Sequence, residues 1–135
     1  MKVLVTGGSG FLGINLIRFL RKQGVDEIRV LDIADFDYPE KNEPWLKFTL
    51  GDVRDIPAVE KVTEGCDIVV HCAAWTAVDA AEDEENLEKV RAVNVIGTEN
   101  IAEACKVLDA RMIYISTDYV FNGQGETPWQ ADCKD

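Results

Sequence analysis

The chain has 135 residues, 47% of them apolar and 29% charged, the composition of one ordinary globular domain long enough to bury a core. Its 25 acidic and 14 basic residues give a formal charge of −11, which excludes nucleic-acid binding through counterion release from a basic surface. No apolar run is long enough to span a bilayer, and no export signal precedes the first predicted strand, so no membrane partner is expected and the cytoplasm is the expected compartment.

Residues 2–6 predict a strand, and residues 11–23 a helix that stops at Gly24. Between them lies Gly7-Gly8-Ser9-Gly10-Phe11-Leu12-Gly13. Strand, glycine turn and helix start together present unpaired N–H groups and a positive dipole end to a phosphate. The competing reading is a glycine turn with no ligand. Gly7 suits the turn, Gly10 close phosphate approach and Gly13 packing of helix on strand, although Gly8-x-Gly10-x-x-Gly13 fits the other common spacing.

A second strand covers 28–32 and ends on Asp32, 25 positions after Gly7. A carboxylate there accepts from both hydroxyls of an adenosine ribose and repels a 2′-phosphate, so NAD(H) is expected over NADP(H). Residues 33–45, polar and interrupted by Pro39 and Pro44, predict a loop with at most a short helical turn. A third strand at 46–50 is followed by a short helix at 56–64 with Pro57 in its first turn. Residues 67–72 predict a strand covered on both faces.

A long helix is predicted over 83–108, with Leu87, Val90, Asn94, Gly97, Ile101 and Leu108 near one stripe. Gly97 there suggests close approach to the sheet, and Asn94 requires partners for a buried amide. The acids from Asp79 to Glu88 suit a solvated helix start rather than a metal site. A fifth strand is predicted over 112–116, and 121–135 predicts a turn-rich tail.

Strands joined through helices predict an α/β doubly wound parallel sheet of the Rossmann type, in the order 3-2-1-4-5. The ligand crevice then lies at the carboxyl ends of strands one and four. Cys66, Cys72 and Cys105 read as free buried thiols, and no spacing with Cys133 suggests zinc. His71, the only histidine, reads as a satisfied core or rim residue, with no nucleophile elbow nearby.

Four patches in order resemble the extended short-chain dehydrogenase/reductase (NAD-dependent epimerase/dehydratase) family. They are Thr6 to Gly13, Gly51-Asp52-Val53-Arg54-Asp55, His71-Cys72-Ala73-Ala74 and Asn94-Val95-Ile96-Gly97-Thr98. Cys72 to Asp79 and Ser116 to Gly123 resemble its sugar-nucleotide branch, the dTDP-4-dehydrorhamnose reductases in particular, while the glycine run is closer to the epimerase and dehydratase members. The resemblance implies hydride transfer at a keto or hydroxyl group on C4 of a nucleotide-activated sugar. It also implies cofactor binding by Gly7, Gly10, Phe11, Leu12, Gly13 and Asp32. Asp52 and Val53 would meet the adenine, Ala73 and Ala74 the path to the nicotinamide ribose, and Thr117 the reacting oxygen of the sugar.

That family completes its chemistry with Tyr-x-x-x-Lys. Here Tyr38, Tyr114 and Tyr119 are followed four positions later by Asn42, Asp118 and Gly123. The departure implies a single dinucleotide-binding domain over 1–135 without its substrate lobe, a fragment inactive by itself. The alternative is a non-catalytic NAD(P)-binding regulatory subunit or interaction module. If further strands normally lie beyond the fifth, that strand becomes a bare edge, and homo-oligomer formation through it, or cover by the tail, is expected.

Overall fold

The computed structural model describes residues 1–130. Cys133 and the last five positions of the tail lie outside the described residues. Strand β1 (Lys2–Thr6) pairs in parallel with β2 (Glu27–Asp32) on one side and β4 (Ile68–His71) on the other. Strand β3 (Leu46–Leu50) pairs with β2, and β5 (Arg111–Tyr114) with β4, so the order is β3-β2-β1-β4-β5, as predicted.

The central strand is buried from Val3 to Thr6 because helices cover both of its faces. Alternate side chains serve two cores. Val3 and Val5 pack with Ile14 and Ile17 of α1 (Phe11–Lys22) and with Ile28 and Val30 of β2. Leu4 points the other way, with Leu31 and Val69, onto Val59 and Val62 of α2 (Ile56–Thr63) and Ile101 of a later helix. The first core also takes Phe36, fully buried in the β2–β3 connection, where the polar sequence predicts only a loop. Truncating a buried phenylalanine to alanine costs about 3–5 kcal/mol, so this connection is anchored. Its one helical turn, Pro39–Asn42, is the short turn expected there.

The predicted long helix is three segments. After a single turn, α3 (Val78–Ala81), which the sequence reading missed, come α4 (Glu84–Arg91), a π-helical stretch at Ala92–Gly97 and α5 (Thr98–Val107). A π-helical stretch fits an extra residue into a turn, and no residue type in the sequence marks it. Leu87, at the start of that stripe, is half exposed. Gly97 does not approach the sheet. A Cβ there would lie 2.6 Å from Cγ2 of Val53, in the loop after β3. Strand β5 also ends at Tyr114, so Ser116 and Thr117 stand beyond the strand that was expected to contain one of them and to end beside the other.

Candidate functional site

At the carboxyl edge, where β1 and β4 part, a cavity of about 530 Å³ opens between four segments. The glycine run forms the first wall. Gly7 adopts φ +69°, whereas Gly8 is not in the left-handed region, so Gly7 is the turn residue. A Cβ on Gly7 would also stand 2.8 Å from the backbone nitrogen of Ala73, across the sheet. Gly13 is packed more tightly: its Cβ would lie 2.3 Å from the carbonyl oxygen of Gly7 and 2.5 Å from Cα of Gly8. At Gly13 the helix therefore seats on the turn, while Ile14 and Ile17 pack on the strand. At Gly10 only the Gly7 oxygen, 3.3 Å away, would meet a Cβ.

Helix α1 starts after Gly10 with no side-chain cap and no acidic residue in its first turn. The first amides of a helix have no intrahelical acceptor. Those of Phe11, Leu12 and Gly13 thus give this wall a positive, donor-rich character. The Phe11 ring itself is largely exposed.

Asp32 forms the second wall with Ile33 and Ala34. Its Oδ2 accepts from the Ser9 amide and its Oδ1 from the Ala34 amide, both at 2.9 Å. Each oxygen keeps acceptor capacity beyond that one bond, since an ionised carboxylate has about four acceptor sites. Tyr38, from the anchored connection, donates its hydroxyl to the Ser9 carbonyl at 3.0 Å and holds the turn from outside. Sequence reasoning missed Tyr38, and no short motif marks it.

Gly51, Asp52, Val53 and Arg54 make the third wall. The Asp52 carboxylate accepts from the Arg54 backbone amide at 2.9 Å and from its guanidinium at 2.5–3.0 Å, and Arg54 holds it below the usual carboxylate range. The pair is partly exposed and adds little stability. The fourth wall is Cys72, Ala73, Ala74 and Thr76, with Val93 reaching in from the π-helical stretch. Cys72, whose thiol is pushed up by burial, and Val93 were not expected here, although Cys72 directly precedes the Ala73-Ala74 pair.

The cavity thus brings together Gly7, Gly10, Phe11, Leu12, Gly13, Asp32, Asp52, Val53, Ala73 and Ala74. Thr117 is not part of it. It is exposed beyond β5, where its hydroxyl accepts from the Tyr119 amide at 3.2 Å.

His71 is buried at the end of β4, and burial lowers its pKa to about 4. It bonds side chains on both sides, as a satisfied core histidine should. The Asn94 amide meets only backbone: Oδ1 accepts from the Trp75 amide at 2.7 Å and Nδ2 donates to the Trp75 carbonyl at 3.1 Å. Cys66, Cys72 and Cys105 are free thiols. Among the described residues no three His, Cys, Asp or Glu side chains converge as a metal site, and no helix is long and apolar enough to cross a membrane.

The RmlD substrate binding domain family matches residues 1–134. The chain belongs to that family. It is 38% identical over 133 residues to a dTDP-4-dehydrorhamnose reductase of Streptomyces griseus, covering 96% of this chain and 37% of that protein. The fold is similar to that of DesIV, a dTDP-glucose 4,6-dehydratase of Streptomyces venezuelae solved as a double mutant with NAD and DAU bound. That match has a TM-score of 0.84 and 29% identity, and covers 96% of this chain and 43% of that one. A Y136A uronate dehydrogenase from Agrobacterium tumefaciens complexed with NAD matches with a TM-score of 0.72 and 26% identity, over 86% of this chain and 40% of that one. The chain therefore spans well under half the length of these relatives.

Proposed function

We propose that this chain is the NAD(H)-binding unit of an oxidoreductase or epimerase acting on a nucleotide-activated sugar. The observation that carries the reading is the bare amino end of α1, set across one cavity from the Asp32 carboxylate. The Phe11, Leu12 and Gly13 amides hold the diphosphate, and Gly10 lets it approach. The remaining acceptor sites of Asp32 take the adenosine ribose hydroxyls, and its charge disfavours a 2′-phosphate. Asp52 and Val53 bound the adenine, and Ala73 and Ala74 leave clearance for the nicotinamide ribose.

When bound, the dinucleotide supplies hydride exchange at C4 of the sugar. Thr117 is the hydroxyl proposed to meet the sugar oxygen in the working enzyme, although it stands outside the cavity here. No tyrosine of the 135 residues has lysine four positions on, so the chain by itself binds cofactor with little turnover. A positioned proton-transfer group is worth about 10²–10⁴-fold in rate. Free thiols among the described residues fit a reducing compartment such as the cytoplasm. Strand β5 is an edge with Ile113 and Tyr114 about half exposed, which favours self-association through that edge; light scattering tests it, and a monodisperse monomer contradicts it.

Calorimetric titration with NAD⁺ and NADP⁺ tests the cofactor assignment. Saturable NAD⁺ binding, with weaker NADP⁺ binding, is expected for the wild type. Gly10→Val, whose Cβ would meet only the Gly7 oxygen, at 3.3 Å, should remove that signal in a chain that still unfolds cooperatively. An unchanged titration in Gly10→Val would overturn the assignment.

A further inference from the structure

We propose that His71 is a positioning residue: as the neutral Nε2–H tautomer it closes a hydrogen-bonded circuit that fixes the Ala73–Trp75 segment along the cavity. The circuit starts and ends on that segment. The Ala73 amide donates to Oγ1 of Thr6 at 3.2 Å, and that hydroxyl lies 2.7 Å from His71 Nδ1. His71 Nε2 lies 3.0 Å from Oγ1 of Thr98, which donates to the Asn94 carbonyl at 2.9 Å. The Asn94 side chain then grips both backbone polar groups of Trp75.

One tautomer satisfies every member of the circuit. With the Thr98 hydroxyl donating to Asn94, its oxygen accepts towards His71, which assigns the proton to Nε2. Nδ1 is then bare and accepts from the Thr6 hydroxyl, whose oxygen is left to take the Ala73 amide. In the other tautomer Thr98 would have to turn its proton from Asn94 to Nε2, and the Thr6 proton would lose its acceptor. Buried polar groups left unpaired in this way cost about 1–3 kcal/mol.

The π-helical stretch and the residue after it carry three contacts: Asn94 reaches Trp75, Thr98 reaches His71, and Gly97 rests on Val53. The circuit therefore ties the ends of β1 and β4 to the helix that supplies Val93 to the cavity. Because Gly7 packs directly against the Ala73 nitrogen, a shift of this segment reaches the phosphate-side turn. The effect on cofactor affinity rests on the NAD(H) reading above; the tautomer does not.

Only one histidine is present, so its imidazole ¹⁵N resonances are unambiguous in the labelled 135-residue chain. At neutral pH, a protonated Nε2 and a bare Nδ1 are expected. Thr98→Val should mix the tautomers, move the Ala73 and Trp75 amide resonances and weaken NAD⁺ binding about tenfold, the equivalent of one hydrogen bond. Thr98→Ser should restore all three. Thr6→Val breaks the circuit at the other nitrogen, should move the same amides, and serves if Thr98→Val does not fold. A wild-type Nδ1–H tautomer, or unmoved Ala73 and Trp75 amides in a folded variant, would overturn the proposal. If no form of the protein binds NAD⁺, the cofactor reading fails while the tautomer and amide shifts still decide this one.

Discussion

Helices α1 and α2 both begin at the carboxyl edge of the same sheet, and their first turns are built in opposite ways. Helix α2 starts at Asp55, whose carboxylate accepts from the Ala58 amide at 3.4 Å, with Pro57 removing another donor. Helix α1 starts at Gly10 with no cap and no acid in its first turn, in a chain with 25 acidic residues. Acidic side chains stand at the cap of α2 (Asp55) and in the first turn of α4 (Glu84 and Glu85), whereas the α1 start beside the cavity has neither. One helix caps an amide with its own side chain, and the other leaves its first amides facing the cavity, as the proposed dinucleotide site requires.

Breaking the α1 side should produce the largest effect. In Gly13→Ala the new methyl runs into turn backbone that cannot move aside, so stability should fall by about 1–3 kcal/mol in urea unfolding and NAD⁺ binding should vanish. Asp32→Asn comes next: losing charge-assisted bonds to the ribose should weaken NAD⁺ about tenfold in calorimetry and narrow the gap to NADP⁺.

Acid sharpens the comparison in a different place. His71 is neutral in the fold, with a pKa of about 4, against about 6.5 unfolded. The unfolded chain therefore takes up more protons between those values. The stabilisation is complete above pH 6.5 and is lost as pH falls towards 4, on the order of 2 kcal/mol by pH 5. Urea unfolding at pH 7 and pH 5 measures it, and a flat profile over that window would contradict the buried circuit. The smallest effect belongs to the α2 side: Asp55→Ala should cost about 1 kcal/mol in unfolding and leave NAD⁺ affinity unchanged.

Sheet order and cavity position were legible because apolar strands alternate with amphipathic helices, and that alternation dictates where the order reverses. The glycine run was legible as a turn, but choosing Gly7 over Gly8 as its pivot took a dihedral angle. What stayed hidden depended on tertiary contact. Phe36 sits in a polar, proline-flanked stretch and shows no periodicity, yet it is core. Asn94 was recognisable on the helical stripe as an amide in need of partners, although it is only part-buried and its partner, the Trp75 backbone, carries no side-chain signal. Ile33 and Arg54 border residues already singled out, so the neighbours of a motif were the available clue to the rest of the cavity wall.

A crystal structure of the chain soaked in NAD⁺ tests the contrast between the two helix starts most directly. The diphosphate is predicted against the amides of Phe11, Leu12 and Gly13, with ribose hydroxyls on Asp32 and nothing at the start of α2. An open cavity with no dinucleotide, or a diphosphate bound away from α1, would contradict the account.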